Sequence, residues 1–336
     1  MAEGLVDLSY SYDHKESRAW SIIRRGAARF LGFDLAHAWR NRRAFRQADV
    51  IWTHTEREWI AIGILSRLCD QTSPPVLAQS VWLYDGWLYR TRLGALITRF
   101  ASVGQQIEMV HSSINAELAQ SRRPDRIILQ VPFGTSVTPS LPAAHAAPMN
   151  VPFVLAPGND RHRDWVLLAA VARARPDLRF FVACDPRKIA SVRLPQNVEV
   201  RRVSQVAEMA TLYASASCVL VPLAANTHAS GATVVQEAHA FGTPVVVADV
   251  GGISDYLEPS DRLFGEGDID ECLREIEAAL NSPEPVHKEP REQNVRRYVG
   301  AHLILSEALV GLRPLAEADL RAALLRADEI FDPIEE

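Results

Sequence analysis

Cysteine is scarce in this 336-residue sequence: Cys69, Cys184, Cys218 and Cys272 lie far apart with no CxxC pair. That spacing argues against a zinc site, a redox dithiol or a disulfide framework. The four read as small buried hydrophobes. Long apolar runs are also missing. No stretch approaches the roughly 18 to 20 residues of a membrane span, and the N-terminus carries Glu3 and Asp7 where a secretory leader would carry basic charge. A cytoplasmic location is the expectation. Internal repeats and low-complexity segments are absent, and 48% hydrophobic with 23% charged residues is ordinary globular usage, so neither disorder nor a fibrous repeat fits.

The charge that is present is unevenly placed. Net charge is -5 over the chain, but residues 1–143 hold 17 Lys+Arg against 13 Asp+Glu, leaving 19 against 28 for the rest. A basic first half suits an anionic surface or ligand. Residues 137–151 contain three prolines and no charged side chain apart from one histidine, the composition of a linker. The expected domains are therefore 1–143 and 150–300, with helices in 300–336 returning to the first.

Beyond the linker, β-rich apolar runs at 151–156, 178–184, 198–203, 218–223 and 244–249 alternate with helical periodicity at 164–173, 204–215, 232–240 and 268–280. That alternation predicts a parallel sheet with crossover helices. A looser version precedes the linker, with strands at 50–54, 75–80, 106–111 and 126–131 and helices at 60–69, 89–101 and 113–120. Residues 15–47 read as one long arginine-rich helical stretch where a first βα unit would stand, so the first domain is shortened or rebuilt at its N-terminus. Two α/β domains joined by a linker predict a ligand cleft between them, at the carboxyl ends of the strands.

The stretch 226–257 is the most informative. A polar loop with Ser230 and Gly231 opens a helix, Gly242 ends it, Pro244 starts a buried strand, and Gly251 and Gly252 follow. The first amides of a helix lack partners and sit at the positive end of its dipole, which suits a diphosphate, and Ser230, Gly231 and Ala232 are small enough to let it approach. Glu237 lies one turn beyond Thr233 on the same face, where a carboxylate accepts ribose hydroxyls.

These residues resemble the retaining glycosyltransferases of the GT-B fold, specifically family 4, the group 1 glycosyl transferases. Glu237, Ala238, Gly242, Pro244, Val245, Val246, Gly251 and Gly252 match the family pattern in order. The resemblance implies two Rossmann-like domains and a nucleoside diphosphate sugar donor, with Glu237 on the ribose and the Thr233 and Val234 amides on the diphosphate. The family's first glutamate, eight positions before Glu237, is Ala229 here; neighbouring His228 is the candidate substitute. After the first strand beyond the linker, Gly158 is followed by Arg161 and Arg163. The family places a basic residue there to neutralise the departing diphosphate, and Arg163 is the better match, with Arg161 in reserve. Arg202 and Val203, after the third strand, stand where the family contacts the base. Gly251 and Gly252 permit a close backbone approach to the sugar.

Residues outside this pattern carry bland readings beside functional ones. Asp164 is a candidate helix N-cap, and Asp268 with Asp270 reads as a cap rather than a metal motif. His54, Thr55, Trp82, Tyr84, Asp85, His111 and Ser112 follow strand ends in the first half and serve either the acceptor or the loops themselves. Trp20, Ile22, Ile23, Phe30, Leu31, Trp39 and Phe45 are interleaved with arginines. Such a stripe packs on a sheet or lies on an anionic membrane, and packing is the commoner outcome. The sequence reading is thus a metal-independent hexosyltransferase without a cofactor, taking a UDP or GDP sugar to a glycan or lipid-linked hydroxyl with retention. A nucleotide-sugar-binding partner protein is the competitor, and no nucleic-acid partner is expected.

Overall fold

The structure is a computed structural model that describes residues 6–13, 15–69, 73–102, 104–135, 152–281 and 292–331. The expected linker at 137–151 lies outside the described residues. The chain divides into two compact units, Met1–Pro132 with Arg296–Glu336, and Phe133–Val295.

In the first unit, α1 (Arg18–Leu31) and α2 (Leu35–Phe45) precede β1 (Ile51–Trp52), α3 (Glu56–Leu68), β2 (Val76–Ser80), α4 (Trp87–Arg90), α5 (Arg92–Ala101), β3 (Ile107–Val110), α6 (Ser113–Arg122) and β4 (Ile127–Gln130). The arginine-rich stretch expected as one helix is two. Gly32 ends α1 in the left-handed region at φ 81°, and Asp34 caps α2 by accepting from the His37 amide at 3.0 Å. Likewise the helix expected at 89–101 divides at Thr91, whose hydroxyl accepts from the Gly94 amide and starts α5.

The four strands are parallel in the order β1-β2-β3-β4. Crossovers that always step the same way, with the usual right hand, set their helices on one face of a sheet. Strand alternation shows the consequence: Val76, Ala78, Val110 and Ile128 face the cluster that holds α3 and its neighbours, whereas Leu77, Ile107, Met109 and Leu129 face the other way. That second face is covered by Ala301, Ile304, Leu305 and Ala308 of one late helix and Leu320 of another. The helical layer packs closely, since a Cβ on Gly63 would fall 1.9 Å from the Ala101 carbonyl oxygen.

The second unit contains β5 (Phe153–Pro157), α7 (Trp165–Ala174), β6 (Arg179–Ala183), β7 (Val198–Arg201), α8 (Val206–Ser215), β8 (Cys218–Val221), α9 (Ala232–Phe241), β9 (Val245–Ala248), β10 (Arg262–Phe264) and α10 (Ile269–Asn281). The late helices of the first unit are α11 (Glu292–Leu309) and α12 (Glu317–Leu324). All six strands of the second sheet are parallel, in the order β10-β9-β8-β5-β6-β7. β5, β8 and β9 are buried along their whole length, which is why they read as continuous apolar runs. β10 carries no such signal. It is a three-residue edge strand in which Arg262 is half-buried, Leu263 exposed and only Phe264 buried. Asp164 caps α7 through the Leu167 amide at 2.9 Å, and Asp268 caps α10 through the Glu271 amide at 2.8 Å. No helix among the described residues is long and apolar enough to cross a membrane.

The stripe expected to pack on a sheet does so only in part. Leu31 and Phe45 lie against the first unit's core, but Trp20, Ile22, Ile23, Phe30 and Trp39 are exposed.

Candidate active site

The second sheet reverses its winding between β5 and β8, and at such a switch point an open parallel sheet leaves a crevice at the carboxyl ends of its strands. The loops leaving those two strands carry Gly158, Arg161 and Arg163 on one side and His228, Ser230 and Gly231 on the other. Gly158 has φ 137°, and a Cβ there would lie 2.4 Å from Nε of Arg163. Glycine is therefore what allows the loop to fold over the guanidinium.

Arg163 is buried, at 7% exposure. Its main chain forms an isolated antiparallel bridge with Leu223. Its Nε donates to the Pro157 carbonyl at 3.3 Å and its Nη1 to Ser230 Oγ at 3.1 Å. Among the described residues its guanidinium forms no ion pair with a carboxylate. Burial pushes its pKa down, against the opposing charge of Asp160. A buried cation that bonds no carboxylate is costly, and an anion delivered to this loop would relieve that cost.

The start of α9 lies beside it. Gly231 is the N-cap at φ 89°, where a Cβ would meet Val221 Cγ1 at 2.8 Å and Arg163 Nη1 at 3.5 Å. Having no side chain, this cap offers no oxygen to accept from the helix, and among the described residues the Thr233 and Val234 amides have no side-chain partner. Thr233 is exposed, whereas Ser230 is buried. A fixed guanidinium and an uncapped helix start thus converge on one small volume, the arrangement that binds phosphate oxygens.

Glu237 is half-buried farther along α9. Its Oε1 accepts from Thr135 Oγ1 at 3.0 Å and its Oε2 from the Tyr213 hydroxyl at 2.6 Å. The segment carrying Thr135 is itself tied to the helix by Gln236, whose Nε2 donates to the Phe133 carbonyl at 2.7 Å. Sequence reasoning missed Thr135 and Tyr213. A tyrosine in an apolar helix must find a partner for its hydroxyl, which was a readable signal for Tyr213; Thr135 had none.

His228 is buried, with Nε2 2.9 Å from Asp160 Oδ2. The other Asp160 oxygen accepts the His162 amide at 2.8 Å, and the two imidazole rings stand 4.9 Å apart. Burial works to raise the pKa of Asp160, but the hydrogen bonds from His162 and His228 prevail and hold its carboxyl far below the usual range. Ala229, beside His228, is buried. Asp160 joins the two loops and was not singled out in the sequence.

β9 ends at Ala248, and Gly251 and Gly252, which follow it, open a 3-10 turn. At φ 63° a Cβ on Gly251 would lie 2.7 Å from Asn226 Oδ1 and 2.8 Å from the His228 carbonyl, and the Gly252 amide donates to that carbonyl at 3.1 Å. The pair lets this turn lie against the His228 loop. Arg202 is exposed and paired with Asp185, which also holds Arg187; Val203 beside it is half-buried. Arg161 is exposed, with no side-chain hydrogen bond among the described residues.

Residues 154–282 match the family model described as glycosyl transferases group 1. Among solved structures the chain is similar to HepE of Anabaena in complex with UDP-glucose, at 13% identity over 86% of this chain and 81% of that one, with a TM-score of 0.61. It is similar to sucrose-phosphate synthase of Thermosynechococcus elongatus at 18% identity over 94% and 79%, with a TM-score of 0.58. An α,α-trehalose-phosphate synthase (UDP-forming) of Burkholderia vietnamiensis gives 13% identity over 92% and 78%, with a TM-score of 0.58. No curated protein matches significantly by sequence. The fold is accordingly GT-B, and the resemblance to the group 1 glycosyl transferases covers residues 154–282.

Proposed function

We propose that the chain is a retaining, metal-independent glycosyltransferase of family 4, acting at the cytoplasmic face of a membrane in polysaccharide or glycoconjugate synthesis. It moves a hexosyl group from a UDP or GDP sugar to a hydroxyl of a glycan or lipid-linked acceptor. The observation that supports this most is the buried Arg163 guanidinium, without a carboxylate partner among the described residues, beside the start of α9, whose N-cap supplies no side-chain hydrogen bond. Charge grows on the leaving diphosphate as the glycosidic bond breaks, so donors held in place before the reaction stabilise the transition state more than the ground state. In this reading Arg163 and the Thr233 and Val234 amides take the diphosphate. Ser230, whose hydroxyl accepts from Arg163, holds the guanidinium in place. Glu237, oriented by Thr135 and Tyr213, takes the ribose hydroxyls, Arg202 and Val203 border the base, and His228 with Gly251 and Gly252 borders the sugar.

Ala229 in place of an acid favours a second reading, in which donor binding persists without turnover. The separating experiment incubates the protein with labelled UDP and GDP sugars and a membrane lipid extract. Transfer that disappears in Glu237→Ala supports the enzyme. Nucleotide binding without transfer or hydrolysis supports the binding protein.

A further inference from the structure

Helix α1 is built inside out. Its buried residues are Ser21, Arg24 and Ala28, a stripe with almost no apolar surface to place against the core. Arg24 is held there by carboxylates: Glu16 accepts from its Nε at 3.1 Å, Asp34 accepts from Nη1, and Asp13 lies 3.2 Å from Nη2. The apolar residues point the other way, with Phe30 81%, Ile23 61% and Trp20 47% exposed. At 100° per residue these three fall within one face of the helix, together with the small Ala19, Gly26 and Ala27. By the same rule Arg18, Arg25 and Arg29 form a row beyond one edge of that face, next to the exposed Ile22, all three exposed and without a carboxylate partner among the described residues. The helix RAWSIIRRGAARFL contains no acidic residue.

A second helix of the same layer repeats the pattern. The Leu88 side chain lies against the Gly32 cap of α1, and its backbone lies against Gly94 of α5, so α4 links α1 and α5. In α5 the residues Leu93, Leu96 and Phe100 are exposed beside Arg92 and Arg99, again with no acid in the helix.

We propose that α1, supported by α5, is a docking face for an anionic lipid bilayer. Exposed apolar side chains with a row of arginines along one side suit the headgroup boundary, where apolar groups enter the acyl edge and guanidinium groups meet phosphates. A second copy of the chain fits less well. A twofold contact would set this face against itself and bring the arginines of α1 together with no carboxylate in either copy of the helix. The membrane-side location belongs to the reading above, whereas the face that makes the contact does not involve the nucleotide site.

The test is co-sedimentation of the full chain with vesicles of phosphatidylglycerol and phosphatidylcholine, or of phosphatidylcholine alone, alongside calorimetry with UDP. The expected result is binding to the anionic vesicles that weakens with salt, with a blue shift of tryptophan fluorescence. The triple variant Arg18→Gln, Arg25→Gln, Arg29→Gln should bind roughly a hundredfold more weakly, and Ile23→Asp with Phe30→Asp should abolish binding. Both variants should keep wild-type UDP affinity and melting temperature. Absence of vesicle binding, or binding unchanged in both variants, overturns the proposal. So does concentration-dependent self-association that Ile23→Asp with Phe30→Asp abolishes, because the face would then be a contact between copies. A chain that binds vesicles but not UDP would sink the nucleotide reading and leave this face standing.

Discussion

Arg163→Met separates a guanidinium kept for an anion from one kept for the fold. Methionine retains most of the length and apolar volume and removes the charge. The substitution forfeits the hydrogen bonds to Ser230 Oγ and the Pro157 carbonyl, each worth ~1 kcal/mol net. It also removes a buried cation that bonds no carboxylate among the described residues, and replacing buried charges with apolar groups of similar volume is often neutral or stabilising by ~1–4 kcal/mol. The two effects nearly cancel. The unliganded protein should melt within about 4 °C of wild type, at ~2–4 °C per kcal/mol for a domain of this size. Nucleotide binding should behave otherwise. Losing hydrogen bonds to a charged phosphate costs ~1.5–3 kcal/mol, a roughly 12- to 140-fold weaker UDP affinity at 1.4 kcal/mol per tenfold. Thermal unfolding with and without UDP reads both quantities, because ligand stabilisation follows affinity. A fall of ~3–5 kcal/mol in unliganded stability, as when a buried ion pair is broken, with UDP affinity intact, would refute the reasoning.

Tyr213→Phe removes one hydrogen bond to Glu237 and should weaken UDP binding by about threefold to tenfold, while leaving affinity for inorganic diphosphate unchanged; calorimetry with both ligands checks this. In the first unit, burial lowers the pKa of His111 to about 3 and of His302 to about 4, against hydrogen bonds to the Val131 and Tyr298 carbonyls. Both values lie below the unfolded one near ~6.5, so between about pH 6 and pH 4 the unfolded chain binds protons that the folded chain refuses. The stability these neutral histidines contribute is complete above pH ~6.5 and is lost as pH falls, by ~1.4 kcal/mol per pH unit for each residue. Urea melts of the first unit that stay flat across that window would contradict it. Gly63→Ala should destabilise the first unit by ~1–3 kcal/mol, since its Cβ would fall 1.9 Å from the Ala101 carbonyl oxygen; a melt unchanged from wild type would contradict the packing described.

The second unit was largely legible because buried parallel strands are continuous apolar runs and their crossover helices carry ordinary caps. Thus β8 and β9 lie within the predicted runs, β5 passes the end of its run by the single residue Pro157, and Asp164 and Asp268 cap the helices expected of them. β10 was invisible because an edge strand of three residues buries too little to impose a pattern. The break between α1 and α2 is marked by Gly32 and Asp34, but arginine continuity on both sides obscured it. The reversed orientation of α1 could not be read at all. It depends on Arg24 finding Glu16, Asp34 and Asp13 in space, and an arginine in a helix is by default placed in water.

At the site, the glycines and the start of α9 were readable from residue type, since φ above zero and an uncapped helix start leave a signature. The burial of Arg163 was not, because it follows from the fold of two loops far apart in the chain. The same holds for Asp160, whose partners His162 and His228 lie on those two loops, and for Arg202, which meets Asp185 across the β6 and β7 loops.

A crystal structure of the protein with UDP tests the central claim most directly. The account predicts the diphosphate at the start of α9, its oxygens within hydrogen-bond distance of the Thr233 and Val234 amides and of the Arg163 guanidinium. A diphosphate bound elsewhere on the second unit, with Arg163 still bonded only to Ser230 and Pro157, would contradict it.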